Sequence, residues 1–161
     1  MGDTSVPRDM TGLSVVDVMH SPVVCIWPST LLGEALGAML HVGVRHLVVV
    51  DQEGRCHGLL SDRAVTAAWA ADPSALDWRP AGTLLDAKPA IVDVAATVRQ
   101  VARLMHADRV DAVVVVDNDG HPLGVLTGSD LVALIATDVR TDEDVPPEAD
   151  PRGSPPKADQ S

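Results

Sequence analysis

The sequence repeats itself, and that limits the fold more than any other feature. Asp51, Gly54 and Gly58 recur as Asp117, Gly120 and Gly124, and Met39 recurs as Met105, all at an offset of 66 residues. Pro22 recurs as Pro89, one residue further on, which a single extra residue near Ser29 in the first copy accounts for. A duplicated unit of this size has to fold twice and cover its apolar faces against its copy. The two copies fill about residues 12–139 of the 161.

Within each copy the hydrophobic period changes in the same order. "VVCIW" and "AIVDV" read as short strands. Leu32, Ala35, Leu36, Met39 and Leu40 then fall on one face of a helix, and Val98, Val101, Ala102 and Met105 repeat that stripe. Thr97 and Gln100 make a capping box at the second of these helices, with no counterpart in the first copy. "HLVVVD" and "AVVVVD" are unbroken apolar runs, which predicts strands covered on both faces. "DQEG" and "DNDG" are hairpin turn signals leading into "CHGLLS" and "HPLGVLT". A second helix is expected over residues 62–70 and again over 129–139. Each copy thus reads β-α-β-β-α, an α+β fold in which the two sheets pack face to face. The expected boundaries are a flexible N-terminus at 1–11, a first motif at 12–70, a loop linker at 71–82 and a second motif at 83–139. Trp69 and Trp78 bracket the linker as packing residues. Residues 140–161 are acidic and Pro-rich, and read as a disordered tail.

Composition narrows the function classes. Apolar residues make up 46% of the chain, yet it has three Trp and no Phe or Tyr, so the core must be aliphatic. A net charge of −11 removes the electrostatics on which nucleic-acid binding depends, and disfavours an anionic membrane surface. No apolar run approaches a membrane span, and "MGDTSVPRDMTG" has no signal-type apolar region. Cys25 and Cys56 are the only thiols, which fits a reduced cytoplasm rather than a disulfide framework. Cys56 and His57 are adjacent and so point to opposite faces of a strand. No C-x-x-C or H-x-x-x-H spacing suggests a metal site, and "DNDG" lacks the glutamate that would close a calcium loop. Neither a nucleophile elbow nor a Walker loop is present, and the chain is read as non-enzymatic.

The most informative segment is "GVLTGSDL" at 124–131, whose first-copy counterpart is "GLLSDRAV" at 58–65. Both run Gly, two apolar residues, then Ser or Thr, but Asp130 of the second copy faces Ala64 in the first. Thr127-x-x-Asp130 has capping-box spacing. An ionised Asp is also acceptor-only, and can take hydrogen bonds from both hydroxyls of a ribose. The residues alone leave both roles open.

With "VVDVM" before the first strand and "GVRHLVVVD" in the middle, the series resembles a pair of CBS domains, a Bateman module, over about residues 12–139. The resemblance implies two motifs packed with pseudo-twofold symmetry through their sheets. It implies up to two clefts that take AMP, ADP, ATP or S-adenosylmethionine as a regulatory ligand rather than a cofactor. It further implies pairing into a homodimer and action on a protein partner in trans, since no partner domain accompanies the module in this sequence. Carried onto these residues, it gives Thr127 and Asp130 to the ribose. Arg45 and His46 of the other copy go to the phosphates, and Arg109 is a further phosphate candidate. Ala90, Ile91 and Leu123 would form the adenine slot. The opposite cleft would join Ser61 and Ala64 to Asp111 and Ala112, without a ribose acceptor and without cations. The plainer alternatives are a solvated charge at a strand entrance for Arg45 and a half-buried polar cap for His46. For the chain as a whole, the alternative is a ligand-free dimerisation or scaffold module in which Asp130 only starts a helix.

Overall fold

The first copy runs β1 (Cys25–Ile26), α1 (Leu32–Val42), β2 (His46–Val50), β3 (Cys56–Ser61) and α2 (Asp62–Ala71) in the computed structural model, which describes residues 12–143. After a short helical turn α3 (Ala75–Trp78), the second runs β4 (Ile91–Asp93), α4 (Val98–Asp108), β5 (Ala112–Val116), β6 (Pro122–Thr127) and α5 (Gly128–Glu143). The expected N-terminal segment 1–11, and the tail beyond 143, lie outside the described residues. Residues 140–143, expected to be disordered, continue α5.

Each sheet has three strands, in the orders β1-β2-β3 and β4-β5-β6, with a parallel pair followed by an antiparallel hairpin. The registers are the same in both: Cys25 pairs with Val48 and Ile91 with Val114, while Val50 pairs with Cys56 and Val116 with Pro122. The turns obey their sequences. Gly54 and Gly120 take φ of 80° and 86°, and Asp51 and Asp117 each accept two backbone N–H groups across the turn.

The unbroken valine runs are buried on both sides, as their composition predicts. Leu47 and Val49 face their own helices with Leu32, Met39, Leu60 and Val65, and Val113 and Val115 do the same with Val101, Met105 and Leu126. The alternate residues Val48, Val50, Val114 and Val116 form a third cluster, which joins the two sheets face to face. Burying each such side chain contributes roughly 1.5–3 kcal/mol. No polar or charged residue among the described ones is fully buried, so polar chemistry is confined to the edges of this sandwich.

Two features differ from the expected organisation. Residues 13–20 do not pack on the first motif. Val15 is fully buried in the second motif's core, Val15 N–H donates to Ala96 O (3.1 Å), and Val98 N–H donates to Leu13 O (2.8 Å). Residues 79–85 cross in the opposite sense: Leu32 N–H donates to Arg79 O (3.0 Å), and Ala81, Leu84 and Leu85 pack into the first core. Each motif is therefore completed by the segment that leads into the other one. The 71–82 stretch, expected as a loop, holds the end of α2, the whole of α3 and the start of a 3-10 turn at Ala81–Leu84. Trp69 and Trp78, expected as packing residues, each remain about half exposed.

Candidate functional site

Two parallel strand pairs create the clefts. Because β1 and β2 are parallel, their N-terminal ends lie side by side, and Val48 N–H donates to Val24 O (2.9 Å). Gly43, with φ of 79°, ends α1 and turns the chain into Val44, Arg45 and His46 at the entrance of β2. Across from them, β6 runs into α5 through Thr127, Gly128 and Ser129. The space between is a cleft of about 1160 Å³ that brings together Arg45, His46 and Thr127. Its apolar wall is Pro22, Val23, Val24 and Val125. Arg63, Asp62 and Asp111 supply further charge.

Asp130 does not itself line this cleft, and its side chain is only 14% exposed. Thr127 N–H and Oγ1–H both donate to Asp130 Oδ2, at 2.8 and 2.9 Å, and Asp130 N–H donates to Thr127 Oγ1 at 3.3 Å. That is a complete capping box at the start of α5. The other carboxylate oxygen, Oδ1, is held by His20 Nε2. His20 lines the cleft, and sequence reasoning missed it because nothing local shows that its segment crosses onto β6.

The cleft-lining elements occur twice. Residues 15–71 and 81–137 each match the CBS domain. The chain belongs to the CBS-domain family. A CBS domain-containing protein of Dictyostelium discoideum is 25% identical over 144 residues, covering 84% of this chain and 97% of the relative. Among solved structures, the CBS domain pair of protein MJ0100, in complex with 5′-methylthioadenosine and S-adenosyl-L-methionine, superposes with a TM-score of 0.69 at 20% identity. That match covers 77% of this chain and 96% of the other. CBSX2 in complex with AMP superposes with a TM-score of 0.66 at 25% identity, over 78% of this chain and 98% of the other.

The second cleft of this CBS pair measures about 440 Å³ and gathers Ser61, Asp111 and Ala112 as expected. Ser61 Oγ accepts Ala64 N–H (3.1 Å), the same helix cap as at Thr127 but without the carboxylate. The expected lack of cations is corrected, because Arg63, His106 and Arg109 all line it. Arg109 belongs to this smaller cleft, and it stands in the left-handed region (φ 55°, ψ 42°) where the first copy has Gly43.

The expected adenine slot is also corrected. Ala90 lines the small cleft, Ile91 packs between the sheets, and Leu123 is 37% exposed and lines neither cleft. The cause is the parallel pairing: Val114 N–H donates to Ala90 O (3.0 Å), which fixes Ala90 beside the entrance of β5 and not of β2.

His46, Arg63 and Asp111 line both clefts and form the partition between them. His46 Nε2 is buried without a hydrogen-bond partner among the described residues. Asp111 Oδ1 lies 3.5 Å away but is not aligned for a bond. An unsatisfied buried ring nitrogen is costly, and a polar ligand group reaching it from either cleft would relieve it. Asp117, Asp119 and His121 bring potential metal-ligating atoms within 4.8 Å of one another at the second hairpin turn. Asp117 Oδ1 accepts the N–H groups of Asp119 and His121, and His121 Nε2 bonds Glu53 O, so the turn's own hydrogen bonds account for the grouping.

Proposed function

We propose that the chain is a regulatory module that binds an adenine nucleotide in the large cleft and passes the resulting change in packing to a partner in trans or to its own homodimer. The observation that carries this reading is the make-up of that cleft. In a protein of net charge −11, Arg45, His46 and Arg63 meet the start of α5 on one side, and Pro22, Val23, Val24 and Val125 give an apolar wall on the other. A base on the wall and phosphates at the cations would place the sugar near Thr127 and Asp130. The orphaned Nε2 of His46 offers a hydrogen bond to such a ligand. CBSX2, solved with AMP, supports the ligand class. ADP, ATP and S-adenosylmethionine are the other candidates. Exposed Leu40 on α1, with Val132 and Ile135 on α5, supports pairing of two modules through helix faces. Two free thiols, and no helix among the described residues long and apolar enough to cross a membrane, support a cytoplasmic setting.

One observation favours the rival reading of a ligand-free scaffold: both oxygens of Asp130 are already engaged within the chain, Oδ2 in the helix cap and Oδ1 by His20. Titration calorimetry separates the two. AMP should bind the wild type, and Arg45→Ala should weaken it about tenfold or more, the worth of a charge-assisted hydrogen bond. A thermal-shift panel of AMP, ADP, ATP, S-adenosylmethionine and NADH that stabilises nothing would establish the scaffold reading instead.

A further inference from the structure

We infer that His20 gates the large cleft: a ribose reaches Asp130 only when this imidazole leaves. This deepens the nucleotide reading above and rests on it.

Asp130 has two oxygens, and the capping box consumes one. Oδ2 takes both donors of Thr127, which leaves Oδ1 as the oxygen a sugar hydroxyl would use. His20 Nε2 sits on Oδ1. With the ring in place Asp130 is withdrawn from the cleft wall, while the His20 side chain is 73% exposed and lines the cleft itself.

His20 is delivered there by its backbone rather than by packing of its ring. Its N–H donates to Val125 O (2.9 Å) and its carbonyl accepts from Val125 N–H (3.0 Å), so the segment forms an antiparallel bridge on β6. The ring can therefore swing into solvent without breaking the bridge. A contact whose imidazole is largely in solvent contributes little to stability. Hydrogen bonds from two ribose hydroxyls to a carboxylate are stronger, and suffice to displace it. The small cleft has no such device. Asp86, 66 residues beyond His20, lines it, and Ala64 offers nothing to hold.

Adenosine is the probe that isolates the effect, because without a phosphate its binding does not register the loss of the imidazole as a phosphate partner. The closed gate lowers apparent affinity by the fraction of chains in which Asp130 is free. Calorimetry on the full chain should therefore find that His20→Ala binds adenosine roughly twofold to sixfold tighter than wild type, the range set by a solvent-exposed side-chain contact. 2′,3′-Dideoxyadenosine, which has no hydroxyl for Asp130, should show no gain. Thermal melts of His20→Ala should match wild type, since the removed ring is exposed. Equal or weaker adenosine binding by His20→Ala would overturn the gate and leave the nucleotide reading standing, as would an equal gain with the dideoxy compound. Adenosine binding seen only in His20→Ala supports both. Loss of all binding, to adenosine and AMP alike, in both proteins removes both.

Discussion

Gly124 opens the motif "GVLTGSDL", and the structure gives it a physical reason that can be tested. A Cβ placed there would lie 2.4 Å from Met19 Sδ, 2.6 Å from Met19 Cγ and 3.0 Å from His20 O. Gly124 is not among the positive-φ glycines, so its backbone accepts alanine and the destabilising part of Gly124→Ala is collision. Met19 can rotate away. His20 O cannot, because it is main chain fixed on β6 by the Val125 N–H. Relief requires His20 O to give by a few tenths of an ångström, which lifts residues 19–20 and weakens both His20–Val125 hydrogen bonds, each worth about 0.5–1.5 kcal/mol net. Gly124→Ala should thus destabilise the protein by roughly 1–3 kcal/mol, in the range of other overpacking substitutions. Gly37→Ala is the control. A Cβ there meets nothing within 4 Å, and an alanine inside α1 should stabilise by roughly 0.5–1 kcal/mol. Urea unfolding gives both values, and amide hydrogen exchange at His20 and Val125 reports the lifting directly. An unchanged urea midpoint for Gly124→Ala, with both amides still protected, would refute the collision.

Three further outcomes follow from local physics. Arg109→Gly should stabilise by about 0.5–1 kcal/mol in urea melts, since it removes the cost of a left-handed non-glycine residue; destabilisation would mean that the guanidinium makes a compensating contact. The Asp117 carboxyl is held below its ordinary range chiefly by the His121 amide, and Asp51 chiefly by the Arg55 amide. Stability from these groups is fully present above the unfolded carboxyl pKa of about 4 and is lost as pH falls through the lower folded values. Urea midpoints measured from pH 5 downward should therefore drop less in Asp117→Asn than in wild type. Burial pushes the Cys56 thiol up to about 11, so at pH 8 it should react with an aromatic disulfide reagent only after denaturant unfolds the chain. Rapid labelling of Cys56 in the native protein would contradict that burial.

What the sequence made legible was what periodicity encodes. The 66-residue offset, the helical stripes and the four-valine run ending at Val116 each state which faces are covered, and the three core clusters sit where those patterns place them. Both capping boxes were also readable, because Thr97–Gln100 and Thr127–Asp130 are local contacts three residues apart. The crossing of residues 13–20 was not readable, since a buried Val15 looks the same whichever copy covers it. His20 went unnoticed for the same reason. Ala90, Ile91 and Leu123 do not meet at one cleft because that depends on which strand ends are adjacent, and β4 beside β5 is a tertiary fact. Arg109 betrayed no strain in one dimension; only its alignment with Gly43 hinted that the position turns left-handed.

The two copies differ little in their cores and much around their clefts. Met39 and Met105, Leu60 and Leu126, and Val48 and Val114 are matched pairs, while Arg45 stands against Asp111, His46 against Ala112 and Asp130 against Ala64. Since the small cleft has cations of its own, charge is not what separates the clefts most sharply; the carboxylate is. The residues alone left two roles open for that carboxylate, a helix cap and a ribose acceptor. On the nucleotide reading, the geometry divides them between its oxygens. Oδ2 is bound to Thr127 and caps α5 whatever occupies the cleft, whereas Oδ1 faces an exposed imidazole that can be exchanged for a ligand hydroxyl. Capping therefore holds Asp130 in position without consuming the oxygen that a ligand would need.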